Sequence, residues 1–118
     1  MTSTTPTGID LKLFTEMQEL MEEEFSPLVE TYLEDTPKLL AEINNAVASD
    51  SVDLSALASA AHQLKSTSAS LGFTDLEKHA ETMERIGLAT IAGDPAPSYQ
   101  AAQLSYSQLR LFLEGHLT

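Results

Sequence analysis

Hydrophobic positions recur with helical period along most of the chain, and no segment alternates convincingly with period two. A first helix is expected from Asp10 to Glu23, with Asp10 as N-cap and Leu13, Met17, Leu20 and Met21 on one face. Ser26-Pro27, a hydroxyl followed by proline, reads as the start of a second helix. Its inward face would be Val29, Tyr32, Leu33, Leu40, Ile43 and Val47. Pro37 lies inside that pattern and predicts a kink, with two shorter helices as the alternative. A third helix follows the polar break SDSVD, covers roughly 53–71 and is closed by Gly72. A fourth opens at TDLE, where Thr74 and Glu77 have capping-box spacing, and ends near Gly87 or Leu88. After the loop IAGDPAP, a last helix spans about 98–115 and carries Leu104, Leu109, Phe112 and Leu113. Long amphipathic helices joined by short turns pack as antiparallel neighbours. The expected fold is all-α, an antiparallel four-helix bundle with an additional N-terminal helix, over residues 9–118. Residues 1–8 are expected to form a flexible tail.

Composition narrows the function. The 118 residues suffice for one core, and without cysteine there is no disulfide, thiolate metal site or thiol nucleophile. Eighteen acids against six Lys and Arg give a net charge of −12, a field that repels nucleic acid and anionic membranes. No apolar run is long enough to span a bilayer and the start lacks a secretory pattern, so the expected location is cytoplasmic. The run Glu22-Glu23-Glu24 reads as a solvated face, and Met17, Met21 and Met83 as core filler. No heptad seam argues for a coiled-coil dimer, so a monomer is expected.

The third helix holds the candidate chemistry. Leu54, Leu57, Ala61, Leu64, Ser68 and Leu71 form one stripe, which places His62 roughly 130° away at about 100° per residue. His62 should therefore point outward. Its helical neighbours Ala58, Ser59, Ser66 and Ala69 are small, a low patch that another protein could approach closely. The remaining neighbour, Lys65, could neutralise charge on a phosphoryl group attached to the imidazole. A neutral imidazole nitrogen is a nucleophile at neutral pH. On spacing alone, an ordinary surface His–Lys pair fits equally well. His79 reads as a boundary or surface residue and His116 as a cation in the last turn. No pattern supports a metal site or a cofactor.

The run AHQLKSTSASLG, residues 61–72, resembles the signature of the histidine phosphotransfer (HPt) family. The resemblance continues through FTDLEKHAETMERIG and, more loosely, upstream to LVETYLEDTPKLLAEI, so that it covers roughly residues 9–115. It implies that His62 is the phosphoacceptor, on the ring nitrogen farther from the backbone, and that Lys65 neighbours the phosphate. Glu84 matches a position where some relatives orient the imidazole; the plainer alternative is a solvated surface acid. Ser66 departs from the usual glycine but is still small. The implied function is a phosphocarrier without catalysis of its own, passing a phosphoryl group on His62 between aspartate receiver domains, with response-regulator receivers and a hybrid sensor kinase as partners. Magnesium would belong to the receiver. A receiver would dock on Ala58, Ser59, Ser66 and Ala69, with apolar surface near Phe14, Met17 or Met21. A helical adaptor that binds receivers without being phosphorylated is the rival. No kinase ATP-binding domain or receiver pattern accompanies these helices, so a stand-alone module is expected.

Overall fold

The computed structural model describes residues 8–48 and 51–115. Its helices are α1 (Leu11–Met21), α2 (Phe25–Ala48), α3 (Leu54–Ser70), α4 (Thr74–Gly87) and α5 (Ala96–Gly115), with a 3₁₀ turn, Glu22–Glu24, between α1 and α2. No strand occurs among the described residues. Helices α2, α3, α4 and α5 pack each on the next, and α5 returns to α2, closing an antiparallel four-helix bundle. The shorter α1 packs on α2 as the additional N-terminal helix.

Two ends form as the residue types dictate. The Asp10 carboxylate accepts from the Leu13 N–H and that of Asp53 from the Ala56 N–H, each capping its helix. Gly72, at φ +80°, turns the chain out of α3 while the Phe73 N–H donates to the Ser68 carbonyl. Two other ends differ from expectation. Phe73 is the N-cap of α4, and no capping box forms there. Instead the Gly8 carbonyl accepts from the Asp75 N–H at 3.1 Å and the Thr74 hydroxyl at 2.9 Å, so an incoming strand of chain satisfies this helix end. The expected tail otherwise falls on residues 1–7, outside the described residues, as does His116. At the other site, Ser26 does not start α2. The helix begins at Phe25, directly after the 3₁₀ turn, because burying the Phe25 ring against Phe14 continues the helical path.

The stripe assigned to α3 is buried at Leu57, Ala61, Leu64, Ser68 and Leu71, and the Ser68 hydroxyl is paired with that of Tyr32 at 2.9 Å. Burial pushes the Tyr32 phenol well above its ordinary pKa, which keeps it neutral in this pair. Leu54, Leu104 and Leu20 are corrections: all three are exposed. Leu54 and Leu20 lie at or near the ends of their helices, and the Leu54 side chain stands at the edge of the α3–α4 seam rather than within it. Phe14, expected near the docking surface, is 1% exposed and sits among Phe25, Phe73 and Phe112. Met17 and Met21 are partly buried against the same core.

Helix α2 continues through Pro37, so the alternative of two shorter helices does not occur. Proline has no N–H to give, which strips the Leu33 carbonyl of its intrahelical donor. The Tyr106 hydroxyl of α5 donates to that carbonyl at 3.3 Å. A defect in one helix is thereby answered by a side chain of its neighbour.

Gly87 fixes how closely α3 and α4 approach. A Cβ there would stand 2.6 Å from the Ala58 backbone nitrogen and 2.8 Å from the Leu54 carbonyl oxygen. Gly87→Ala opposes two effects: better helix propensity, worth up to about 1 kcal/mol, and overpacking against backbone, costing about 1–3 kcal/mol. Overpacking should win, because rigid backbone cannot turn aside. Thermal unfolding should give a lower Tm for Gly87→Ala; an unchanged or higher Tm would show that the helices have room to spare.

Candidate functional site

Ala58 on α3 lies opposite Gly87 on α4, and one turn along the same antiparallel seam His62 lies opposite Glu84. The small pair brings the backbones together, so a glutamate side chain from α4 can reach under an imidazole on α3. His62 Nδ1 stands 2.6 Å from Glu84 Oε2, while Lys65 Nζ stands 2.6 Å from Glu84 Oε1. One carboxylate thus holds both basic groups of the third-helix signature.

Burial is divided unevenly across this trio. The His62 side chain is 60% exposed, whereas Glu84 as a residue is 8% exposed. The Lys65 ammonium, bonded to Glu84, holds the carboxyl below the usual carboxylate range; partial burial opposes this and the His62 bond adds to it. Reciprocally, bonding to Glu84 raises the Lys65 ammonium, with smaller contributions from Glu81 and Glu77. Glu84 is therefore ionised at neutral pH and can only accept hydrogen bonds. A neutral imidazole facing it must carry its proton on Nδ1. Nε2 is then left with its lone pair, on a side chain that is 60% exposed.

Around the imidazole, α3 and α4 form an open groove whose walls include Leu54, Ser59, Gln63 and Leu88, with Ala58 and Gly87 beneath. Ser59 and Ser66 are exposed and Ala69 is partly so, while Ala58 is buried against α4. Leu54 and Leu88, 43% and 61% exposed, supply apolar edges that sequence reasoning did not assign to the site. The usable signal for Leu54 was its place in the first turn of its helix, where the bundle covers least. For Leu88 it was a leucine beyond the last helical residue. Glu84, for which a solvated surface acid was the alternative, is buried. His79 lies apart from the trio and faces Asp75 at 3.7 Å on its own helix. Among the described residues, no group of three or more His, Cys, Asp or Glu is arranged to hold a metal ion.

The site is thus an exposed imidazole fixed from behind by a buried carboxylate, on the surface of a four-helix bundle. The sequence model of the Hpt domain matches residues 27–115, and the chain belongs to that family. Solved structures agree in fold. The histidine-containing phosphotransfer protein B (HptB) of Pseudomonas aeruginosa PAO1 superposes with a TM-score of 0.87 at 19% identity, covering 96% of each chain. A rice protein assigned as a histidine-containing phosphotransfer protein gives a TM-score of 0.80 at 18% identity, over 94% of this chain and 80% of that one. No curated protein sequence matches the chain. No described helix is long and apolar enough to cross a membrane.

The depressed Glu84 carboxyl has a consequence for stability. A carboxyl held below its unfolded value near 4.3 stabilises the fold above that pH, and the contribution is lost as pH falls through the folded value. Urea unfolding of wild type and Glu84→Gln should therefore show a stability gap at neutral pH that narrows below about pH 4. A gap independent of pH would mean that the charge of Glu84 contributes nothing to the fold.

Proposed function

We propose that this chain is a phosphorelay carrier in which His62 Nε2 accepts a phosphoryl group from a phosphorylated aspartate of one receiver domain and surrenders it to another. The observation that carries the reading is the 2.6 Å contact from Nδ1 to Glu84, which in the neutral ring assigns the proton to Nδ1 and leaves Nε2 its lone pair, on a side chain that is 60% exposed. In the forward step Nε2 gives its lone pair to phosphorus, and the bond to the aspartate oxygen breaks with its electrons staying on the carboxylate. The reverse step returns the pair to Nε2. Glu84 acts as the orienter of the ring, and Lys65, one helical turn from His62, offsets the charge of the phosphoryl oxygens. Magnesium belongs to the receiver in this reading.

On the same reading the partners are response-regulator receivers and a hybrid sensor kinase, and the protein is a cytoplasmic monomer. A receiver must bring its aspartate to bonding distance of Nε2, so its footprint covers the small residues Ser59, Ser66 and Ala69, with Ala58 beneath them. The exposed side chains of Leu54 and Leu88 support an apolar rim to that footprint. Serine at position 66 keeps the surface low.

Incubation with a phosphorylated receiver should place acid-labile, alkali-stable label on wild type and none on His62→Gln. Binding of several competent receivers without any label would favour the non-phosphorylated adaptor. Lys65→Ala should slow transfer by about tenfold or more while leaving the fold intact, since a charge-assisted contact is worth roughly 1.5–3 kcal/mol; unchanged kinetics would remove Lys65 from the mechanism. Ser66→Gly should alter receiver affinity only modestly, and transfer that rises from near zero to robust would contradict this view of the site.

A further inference from the structure

Orienting an imidazole requires only an acceptor opposite Nδ1. A glutamine could supply one through its amide oxygen, without placing a charge where the residue is 8% exposed. Burying a carboxylate is unfavourable unless it is compensated, and Lys65 on the second oxygen provides that compensation here. The site thus includes a charge, and a counter-charge, that orientation does not require.

We propose that the negative charge of Glu84 sets how long a phosphoryl group stays on His62, by holding a proton on Nδ1 of the phosphorylated ring. The inference rests on the reading of His62 as phosphoacceptor.

When the Nε2–P bond breaks, its electron pair returns to Nε2. If Nδ1 carries a proton, the departing ring is neutral imidazole. If Nδ1 has lost it, the departing ring is imidazolate, a far poorer leaving group. The protonated fraction of the phosphorylated ring therefore governs both hydrolysis and onward transfer. A carboxylate in contact with Nδ1 favours the protonated form, and a neutral amide at the same place does not. Lys65 moderates the effect by sharing the carboxylate. It is itself acted on by Glu81 and Glu77 of α4. Among the described residues His62 and Glu84 are the titratable groups lining the groove, and α2 and α5 contribute no residue to its walls. A glutamate thus makes a short-lived, readily discharged carrier, and a glutamine at this position would make a longer-lived store.

Phosphoramidate can load the full-length protein without any receiver: its P–N bond breaks, ammonia departs and the Nε2–P bond forms. After removal of the donor, ³¹P NMR follows hydrolysis, in which water takes the phosphoryl group as inorganic phosphate and Nε2 regains its electron pair. Rates would be measured across about pH 5 to 8. The Glu84→Gln profile should lie about one unit lower in pH than wild type, so that above both midpoints the label survives up to about tenfold longer. The displacement should persist on a Lys65→Met background, which separates the charge of Glu84 from any effect of releasing the lysine. Lys65→Met alone should move the profile toward higher pH, a reading that does not depend on Glu84→Gln folding. Superimposable wild-type and Glu84→Gln profiles on labelled protein would overturn the inference, as would a displacement that disappears without Lys65. A Lys65→Met profile unchanged or moved toward lower pH would also count against it. Failure of wild-type His62 to take any label would overturn the phosphoacceptor reading, and the inference with it.

Discussion

The close approach of α3 and α4 is the constraint on which the site depends. Gly87 removes a side chain where the Ala58 backbone passes, and this brings the two helices near enough for Glu84 to meet His62 across the seam. Ala58 and His62 are four positions apart and Glu84 and Gly87 three, so structural and chemical contacts occupy successive rungs of one antiparallel ladder. A wider seam would leave Glu84 in water, and its pull on the ring would be screened. Packing geometry thus determines the electrostatics of the imidazole.

The remainder of the fold holds that seam in place. An aromatic cluster of Phe14, Phe25 and Phe73, with Phe112 against it, ties α1 and the start of α2 to the α3–α4 turn and α5. The chain before α1 adds polar closure, through the Asp10 N–H to the Gly72 carbonyl and the Gly8 carbonyl to the first turn of α4. Tyr106 supplies the donor that Pro37 cannot, so α2 keeps a satisfied carbonyl where proline enters its interior. The site itself is then an exposed ring on a rigid support.

Much of this was legible in the residues. Helical periodicity located every helix, Asp10 and Asp53 marked two starts, and Gly72 marked a turn that needs positive φ. The wheel of α3 correctly pointed His62 away from the core, because a 3.6-residue period fixes relative directions within one helix. It could not fix which helix would stand opposite. Glu84 therefore read equally as a solvated acid, although its burial arises from Gly87 one turn later, a glycine taken only as a helix end. Leu54 and Leu20 failed because an apolar stripe does not state where along a helix the packing stops, and Leu104 because it lies off the face that Ala102, Tyr106, Leu109 and Leu113 turn inward. Phe14 was misplaced because six of the eleven residues of α1 are apolar, so its pattern does not single out one buried face and separate the Phe14 ring from the exposed leucines.

The central claim is that Glu84 leaves Nε2 of His62 unprotonated and available. ¹⁵N NMR of the imidazole at neutral pH reads the tautomer directly, with Glu84→Ala as the comparison. The geometry predicts a ring protonated at Nδ1, with Nε2 showing the shift of a bare nitrogen, and a mixture of tautomers once Glu84 is removed. A wild-type ring protonated at Nε2 would contradict the account, because the nitrogen facing the partner would then have no electron pair to give.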